Sequence, residues 1–306
     1  MSRHFITIEQ VSDADLDSIY RLALSPFDDT TLAGQGVALV FERPSLRTRA
    51  SSATAVHELG GFATFFSDDE IGLERRESAE DVSRTLREMY AIAALRLRDH
   101  RLFERMRVAT KDTMALINLL SDKAHPTQAV ADVLTLAEHF SGGDVTQLAG
   151  RTVAYVGDAT NVTRSLAVAL LRLGVNVHVG APAGYQLTTG DVEDPHGVVG
   201  GGTLRLFDTA EAAVAGVDAV YTDAWVSMGF EEETAKRRLD LGAFQVSSSL
   251  MALAAPGAVL LHCLPAHRGD EITDEVLDSD ASLVWRQVQH RRSAMLGVLR
   301  WIKGEV

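Results

Sequence analysis

The chain has 306 residues, 46% of them hydrophobic, with 29 Lys+Arg against 42 Asp+Glu and a formal net charge of -13. That length exceeds the usual single domain and predicts two domains with sizeable cores, while the acidic balance argues against a nucleic-acid or anionic-membrane partner. The single cysteine, Cys263, excludes an intramolecular disulfide and leaves no cysteine-based metal cluster.

Met1 to Asp13 carries acids and lacks a long apolar stretch, so it does not read as a signal peptide. No apolar run approaches a membrane span, and a cytoplasmic protein is expected. Ser12 to Ser25 then shows helical apolar spacing, with Leu16, Ile19, Tyr20 and Ala23. Gly36 to Phe41 is an apolar run of strand length that leads straight into Ser45-Leu46-Arg47-Thr48-Arg49, just before a helix-like run from Ala50 to Leu59. A second apolar run starts at Tyr90 and meets Arg96 and Arg98 at its end. A third, Met114 to Leu120, leads to Asp122-Lys123-Ala124-His125-Pro126. A helical pattern runs on from Pro126 to His139 and stops at the polar break Ser141-Gly142-Gly143-Asp144. Beyond it, strand-like runs recur at Thr152 to Val156, Val175 to Val179, Ala219 to Thr222 and Ala258 to Leu261, with Val162 to Leu173 helical. Gly184 to Gly202 is polar, rich in Gly and reads as a long loop, and Arg292 to Ile302 reads as an amphipathic helix. Strands alternating with helices predict an α/β fold with parallel sheets covered on both faces.

Ser45 to Arg49 packs two guanidinium groups and two hydroxyls into five residues, with Arg43 two residues upstream. A helix start exposes unpaired N–H groups and the positive end of its dipole, so hydroxyls and arginine forks there suit a phosphate-like dianion. The alternative is a capped helix start whose arginines face water. His125 and Gln128 stand three apart at a helix start, reach one face, and can each donate to a carbonyl oxygen. They could equally form a capping segment with Pro126 in the first turn. In the second half, Asp158, Asp223 and His262-Cys263 each follow a strand-like run. Ligands of open α/β sheets sit outside the carboxyl ends of strands, so the three together suggest one pocket, although an Asp there can also cap the next helix.

Gly157-Asp158-Ala159-Thr160-Asn161 lies where a dinucleotide fold would carry Gly-x-Gly-x-x-Gly, but the later glycines are absent, which argues against nicotinamide binding. Cys263 reads as a small strand-end residue rather than a nucleophile paired with His262, because neighbours on a strand point to opposite faces. The ten histidines show no metal-ligand spacing, and no metal is expected.

Ser45-Leu46-Arg47-Thr48-Arg49, His125-Pro126-Thr127-Gln128 and His262-Cys263-Leu264-Pro265 resemble, in order and spacing, motifs of the aspartate/ornithine carbamoyltransferase family. Asp223-Ala224-Trp225-Val226-Ser227-Met228-Gly229 resembles the amino-acid signature of that family's ornithine branch. The resemblance implies two doubly wound α/β domains with parallel sheets and an active site in the cleft between them. The carbamoyl-phosphate domain would span 1–122 plus 290–306, and the ornithine domain 123–289. It implies that Ser45, Leu46, Arg47, Thr48, Arg96, His125, Gln128, Cys263, Leu264 and Arg291 bind carbamoyl phosphate, with Arg47, Arg96, His125, Gln128 and Cys263 catalytic. Asn161, Asp223, Ser227 and Met228 would bind ornithine.

The implied enzyme is a carbamoyltransferase of arginine biosynthesis, a homotrimer that uses no metal or organic cofactor. The chain departs from the family pattern at Leu46 for a usual Thr, Thr160 for the first of paired asparagines, and His290 for a usual Asn. Glu70, or Gly72 on a count back from Glu77-Ser78 without a gap, falls at the place of a glutamine that would approach a neighbouring subunit's ligand, with Arg75 and Arg76 in the same loop. A relative that uses another amine, and a non-catalytic anion-binding homologue, are the competing readings.

Overall fold

Asp13–Leu24 forms helix α1, opened by Ser12, whose hydroxyl accepts from the Asp15 N–H; its apolar stripe buries Leu16, Ile19, Tyr20 and Ala23. The computed structural model describes residues 2–192, 201–226 and 231–305. These divide into a unit of 1–131 with 288–306 and a unit of 132–287. After α1 the first unit runs β1 (Gly36–Phe41), α2 (Leu46–Glu58), β2 (Phe62–Ser67), α3 (Asp68–Ile71), α4 (Ala79–Arg87), β3 (Ile92–Arg96), α5 (Arg101–Ala109) and β4 (Ala115–Leu120) to α6 (Pro126–Ser141). Its four strands are parallel, in the order β2-β1-β3-β4. The central strands are apolar without alternation because both faces are covered. Ala38, Val40, Leu95, Phe103 and Met106 share one core cluster. Burying each large side chain there contributes about 1.5–3 kcal/mol.

The second unit carries β5 (Thr152–Val156), α7 (Asn161–Arg172), β6 (Asn176–Gly180), β7 (Leu204–Phe207), α8 (Ala210–Val214), β8 (Ala219–Thr222), α9 (Thr234–Leu241), α10 (Ser248–Met251), β9 (Val259–His262) and α11 (Asp274–Leu277). A last helix, α12, spans Val284–Ile302. The five strands are parallel, in the order β7-β6-β5-β8-β9. Strand order reverses between β1 and β3 in one sheet and between β5 and β8 in the other. Those reversals are the points at which open α/β sheets leave a crevice for ligands.

Three features go beyond the sequence reading. β2 and β7 are partly exposed edge strands, and neither forms the continuous apolar run that marks the central strands. The Gly184 to Gly202 segment includes a short 3-10 turn at Thr189–Val192; residues 193–200 lie outside the described residues. The final helix begins at Val284 rather than Arg292, because its first turns bury Gln287, His290 and Arg291. A buried face made of polar residues has helical period but little hydropathy. Among the described residues no helix is long and apolar enough to cross a membrane.

Candidate functional site

The first sheet's reversal point is lined by the turn after β1. Ser45 is extended (φ -157, ψ 112) and caps α2: its Oγ accepts from the Thr48 N–H at 3.4 Å and donates to Thr48 Oγ1 at 3.0 Å. The five-residue stretch then divides by helical geometry. Thr48 is buried and Arg47 half-buried, whereas Leu46 is 80% exposed and the Arg49 guanidinium lies 4.1 Å from the centre of the Phe65 ring. Arg49 therefore leaves the cluster for a cation–π contact, and Leu46 can offer only its backbone N–H.

Arg96 ends β3 and is buried, where the pairing with β4 shifts register so that Arg96 faces Leu120. His125 stands just before α6, on a turn held by Asn118, whose Nδ2 donates to Ile6 O at 3.0 Å, Ser121 Oγ at 3.1 Å and Ala124 O at 3.3 Å. Arg291 joins these pieces. Its Nη2 donates to Thr48 Oγ1 at 2.7 Å, and its Nη1 meets His125 Nε2 at 3.5 Å and Gln128 Oε1. A guanidinium has only donors, so His125 Nε2 is the accepting nitrogen. Burial holds the His125 imidazole well below the usual histidine range, and the positive charges of Arg291, Arg96 and Arg47 push it the same way. The result is a neutral imidazole among three guanidinium groups beside a capped helix start. That arrangement suits an anion.

Asp223 follows β8 at the second sheet's reversal point, and Cys263 follows the neighbouring strand β9. The Cys263 thiol donates to Asp223 Oδ1 at 2.9 Å, and the Ala224 N–H donates to the same oxygen at 2.8 Å. Burial raises the Asp223 carboxyl above the usual range. His262 turns the other way, as strand alternation requires. Its Nδ1 accepts from the Leu264 N–H at 2.8 Å, so its Nε2 carries the proton toward Glu271 Oε1 at 3.0 Å, with both side chains fully buried. Leu264 itself takes a left-handed conformation (φ 60). Asn161 opens α7, its Oδ1 accepting from the Val162 N–H at 3.0 Å. Ser227 and Met228 lie outside the described residues.

Of the residues expected to share one pocket, Asp158, Asp223 and His262-Cys263, each makes its own contacts. Asp158 forms a buried ion pair with Arg237 Nη1, and His262 faces Glu271. Only Asp223 and Cys263 meet. Glu70 is exposed and caps α3, accepting from the Ser67 N–H at 2.6 Å and the Ser67 hydroxyl at 2.9 Å. Arg75 in the same loop pairs with Asp68 at 2.9 Å. Arg237 and Glu271 were not marked by any sequence spacing; Arg237 lies 79 residues from its partner Asp158. Among the described residues no cluster of three His, Cys, Asp or Glu could hold a metal ion.

Comparison with known proteins places these features in company. A family model described as aspartate/ornithine carbamoyltransferase, carbamoyl-P binding domain, matches residues 3–138. A second, aspartate/ornithine carbamoyltransferase, Asp/Orn binding domain, matches residues 149–302. The chain is 40% identical to an ornithine carbamoyltransferase of Acidothermus cellulolyticus over 99% of its own length and 97% of the relative's. It is 38% identical to one of Clavibacter sepedonicus, covering 99% of both chains. The solved ornithine carbamoyltransferase of Pyrococcus furiosus superposes with a TM-score of 0.90 at 34% identity, over 100% of this chain and 98% of that one.

Proposed function

This chain belongs to the aspartate/ornithine carbamoyltransferase family, and we infer that it transfers the carbamoyl group of carbamoyl phosphate to the δ-amine of L-ornithine, giving L-citrulline and phosphate. The observation that carries this reading is Arg291 held against Thr48, His125 and Gln128. That contact draws the helix-start hydroxyl, the His125 imidazole and the Gln128 amide to one guanidinium.

In this reading the first unit takes carbamoyl phosphate. Ser45, Arg47 and Thr48, with the Leu46 N–H, hold the phosphate at the α2 start, and Arg96 bridges phosphate and carbonyl. Arg291 exchanges its present partners for ligand oxygens. His125, kept neutral, and Gln128 face the carbamoyl group. The second unit takes the amino acid. Asp223 binds the α-ammonium, with Asn161, Ser227 and Met228 around the head group, and Cys263 and Leu264 border the δ-amine. The neutral amine attacks the carbamoyl carbon, and charge collects on the carbonyl oxygen as a tetrahedral intermediate forms. The C–O bond to phosphate then breaks, and the amine's proton leaves with the phosphate. Once Arg291 has changed partners, donors held around the oxygen and the leaving group stabilise that charge, and joint binding removes the entropic cost of meeting. The reaction calls on no metal or organic cofactor.

We further propose a cytoplasmic homotrimer. The edge strand β2 leaves Phe62 55% exposed in a strand of three phenylalanines, and an apolar sheet edge of that kind is suited to cover by another copy.

The test is to incubate the protein with carbamoyl phosphate and a panel of amines, measuring phosphate and ureido product. Ornithine should be the best acceptor, and another amine used more efficiently would overturn the assignment. Asp223→Asn should raise KM for ornithine far more than for carbamoyl phosphate. Equal weakening of both would break the proposed division of labour.

A further inference from the structure

The second sheet sets two buried carboxylates at neighbouring strand ends, Asp158 after β5 and Asp223 after β8, beyond the paired residues Val156 and Thr222. An α-amino acid presents one ammonium and one carboxylate. A single open carboxylate in the site suits that head group. Two would still attract the ammonium, but the second would repel the substrate's own carboxylate at short range. The structure resolves the conflict with Arg237 of α9, a buried guanidinium whose Nη1 meets Asp158 Oδ2. The same Nη1 donates to the Trp225 carbonyl, two residues past Asp223, at 3.1 Å, and its Nε reaches Glu233 at 2.9 Å. Arg237 is thereby fixed to the end of β5 and to the segment that carries Asp223. The charge of Asp223 bears on Asp158, as burial does, in the direction that favours a proton, and Arg237 opposes both.

We propose that Arg237 sets the head-group specificity of the amino-acid site by occupying Asp158, so that Asp223 alone is offered to the substrate's α-ammonium. The inference rests on the reading of this site as an ornithine site. Arg237 is a positioning residue, acting through Asp158 and not by touching substrate.

The test compares kcat/KM for ornithine with kcat/KM for 1,4-diaminobutane, which is ornithine without its carboxylate. Removing the guanidinium in Arg237→Met uncovers Asp158 and should lower the ornithine-to-diamine ratio by about tenfold or more, since a like-charge juxtaposition is being created. Asp158→Asn removes one negative charge at the end of β5 while Arg237 keeps Glu233 and the Trp225 carbonyl, so the local charge favours the substrate carboxylate and the ratio should move the opposite way. The double variant Asp158→Asn/Arg237→Met holds neither charge and should return toward the wild-type ratio. Arg237→Lys should stay close to wild type. If Arg237→Met fails to fold, Asp158→Asn and the double variant still decide the matter by the direction of their shifts. Ratios that stay fixed while both amines slow together would mean that Arg237 only docks α9, and would overturn its role while leaving the ornithine reading intact. Wild-type protein inert toward ornithine would overturn both.

Discussion

Arg47 and Arg49 stand two residues apart and meet different fates. The charge of one bears on the His125 imidazole, and the other covers Phe65. The difference comes from the helix turn, which rotates alternate residues away from each other. Arg47→Ala should therefore depress turnover while the fold survives. A charge-assisted hydrogen bond contributes about 1.5–3 kcal/mol, or roughly 10- to 150-fold in rate. Steady-state kinetics checks this, and near-normal activity would remove Arg47 from the phosphate site. His125 makes a prediction about stability. Its side chain stays neutral in the folded protein, while in the unfolded chain it takes up a proton near the reference pKa of about 6.5. Below that pH the unfolded state binds more protons, so this contribution is complete above about pH 6.5 and is lost as pH falls toward the folded value. Urea unfolding of His125→Gln at several pH values should show a shallower acid-side loss than wild type. Parallel curves would mean that His125 is not the group being titrated.

Elements show the same logic one level up. α2 starts where Ser45 caps it, and the cap is also the anion-facing end, so one hydroxyl serves the helix and the candidate site together. α12 buries Gln287, His290 and Arg291 on the side where an ordinary amphipathic helix buries aliphatic residues. Gln287 donates to Asp132 Oδ1 at 2.6 Å and accepts from the His262 N–H at 3.0 Å, so its burial is matched by partners. α3 has only four residues and depends on its cap. Because the Gln carbonyl can accept as Glu70 does, Glu70→Gln should change stability by less than about 0.5 kcal/mol and leave the KM for carbamoyl phosphate unaltered. Thermal melts and kinetics would check both. Tighter carbamoyl-phosphate binding in the variant would instead place that carboxylate beside a ligand.

At the scale of the molecule, each unit builds a parallel sheet whose strand order reverses once, with Ser45 and Arg96 beside one reversal and Asp158 and Asp223 beside the other. The first sheet ends at β2, whose phenylalanines are only partly covered within the chain. Phe62→Glu should leave the subunit folded, because that side chain is already mostly in water, and should shift a trimer toward monomer. Light scattering on both proteins reads the mass directly. A wild-type protein of monomer mass would refute the trimer.

The central strands could be read from the chain because strands buried on both faces must be apolar throughout, and the helices from their periodicity. Ser45, His125 and Asp223 were marked by their place just beyond such runs, since strand ends are where an α/β sheet leaves space. Edge strands β2 and β7 escaped because partial exposure relaxes the hydropathy that reveals a strand. The buried start of α12 escaped because its inward residues are polar. What only the tertiary structure decided is who pairs with whom. Arg291 meets Thr48 across 243 positions of sequence, Arg237 pairs with Asp158, and His262 turns to Glu271. A charge carries no local sign of its partner. Its meaning is fixed only when folding removes water and leaves one neighbour within reach.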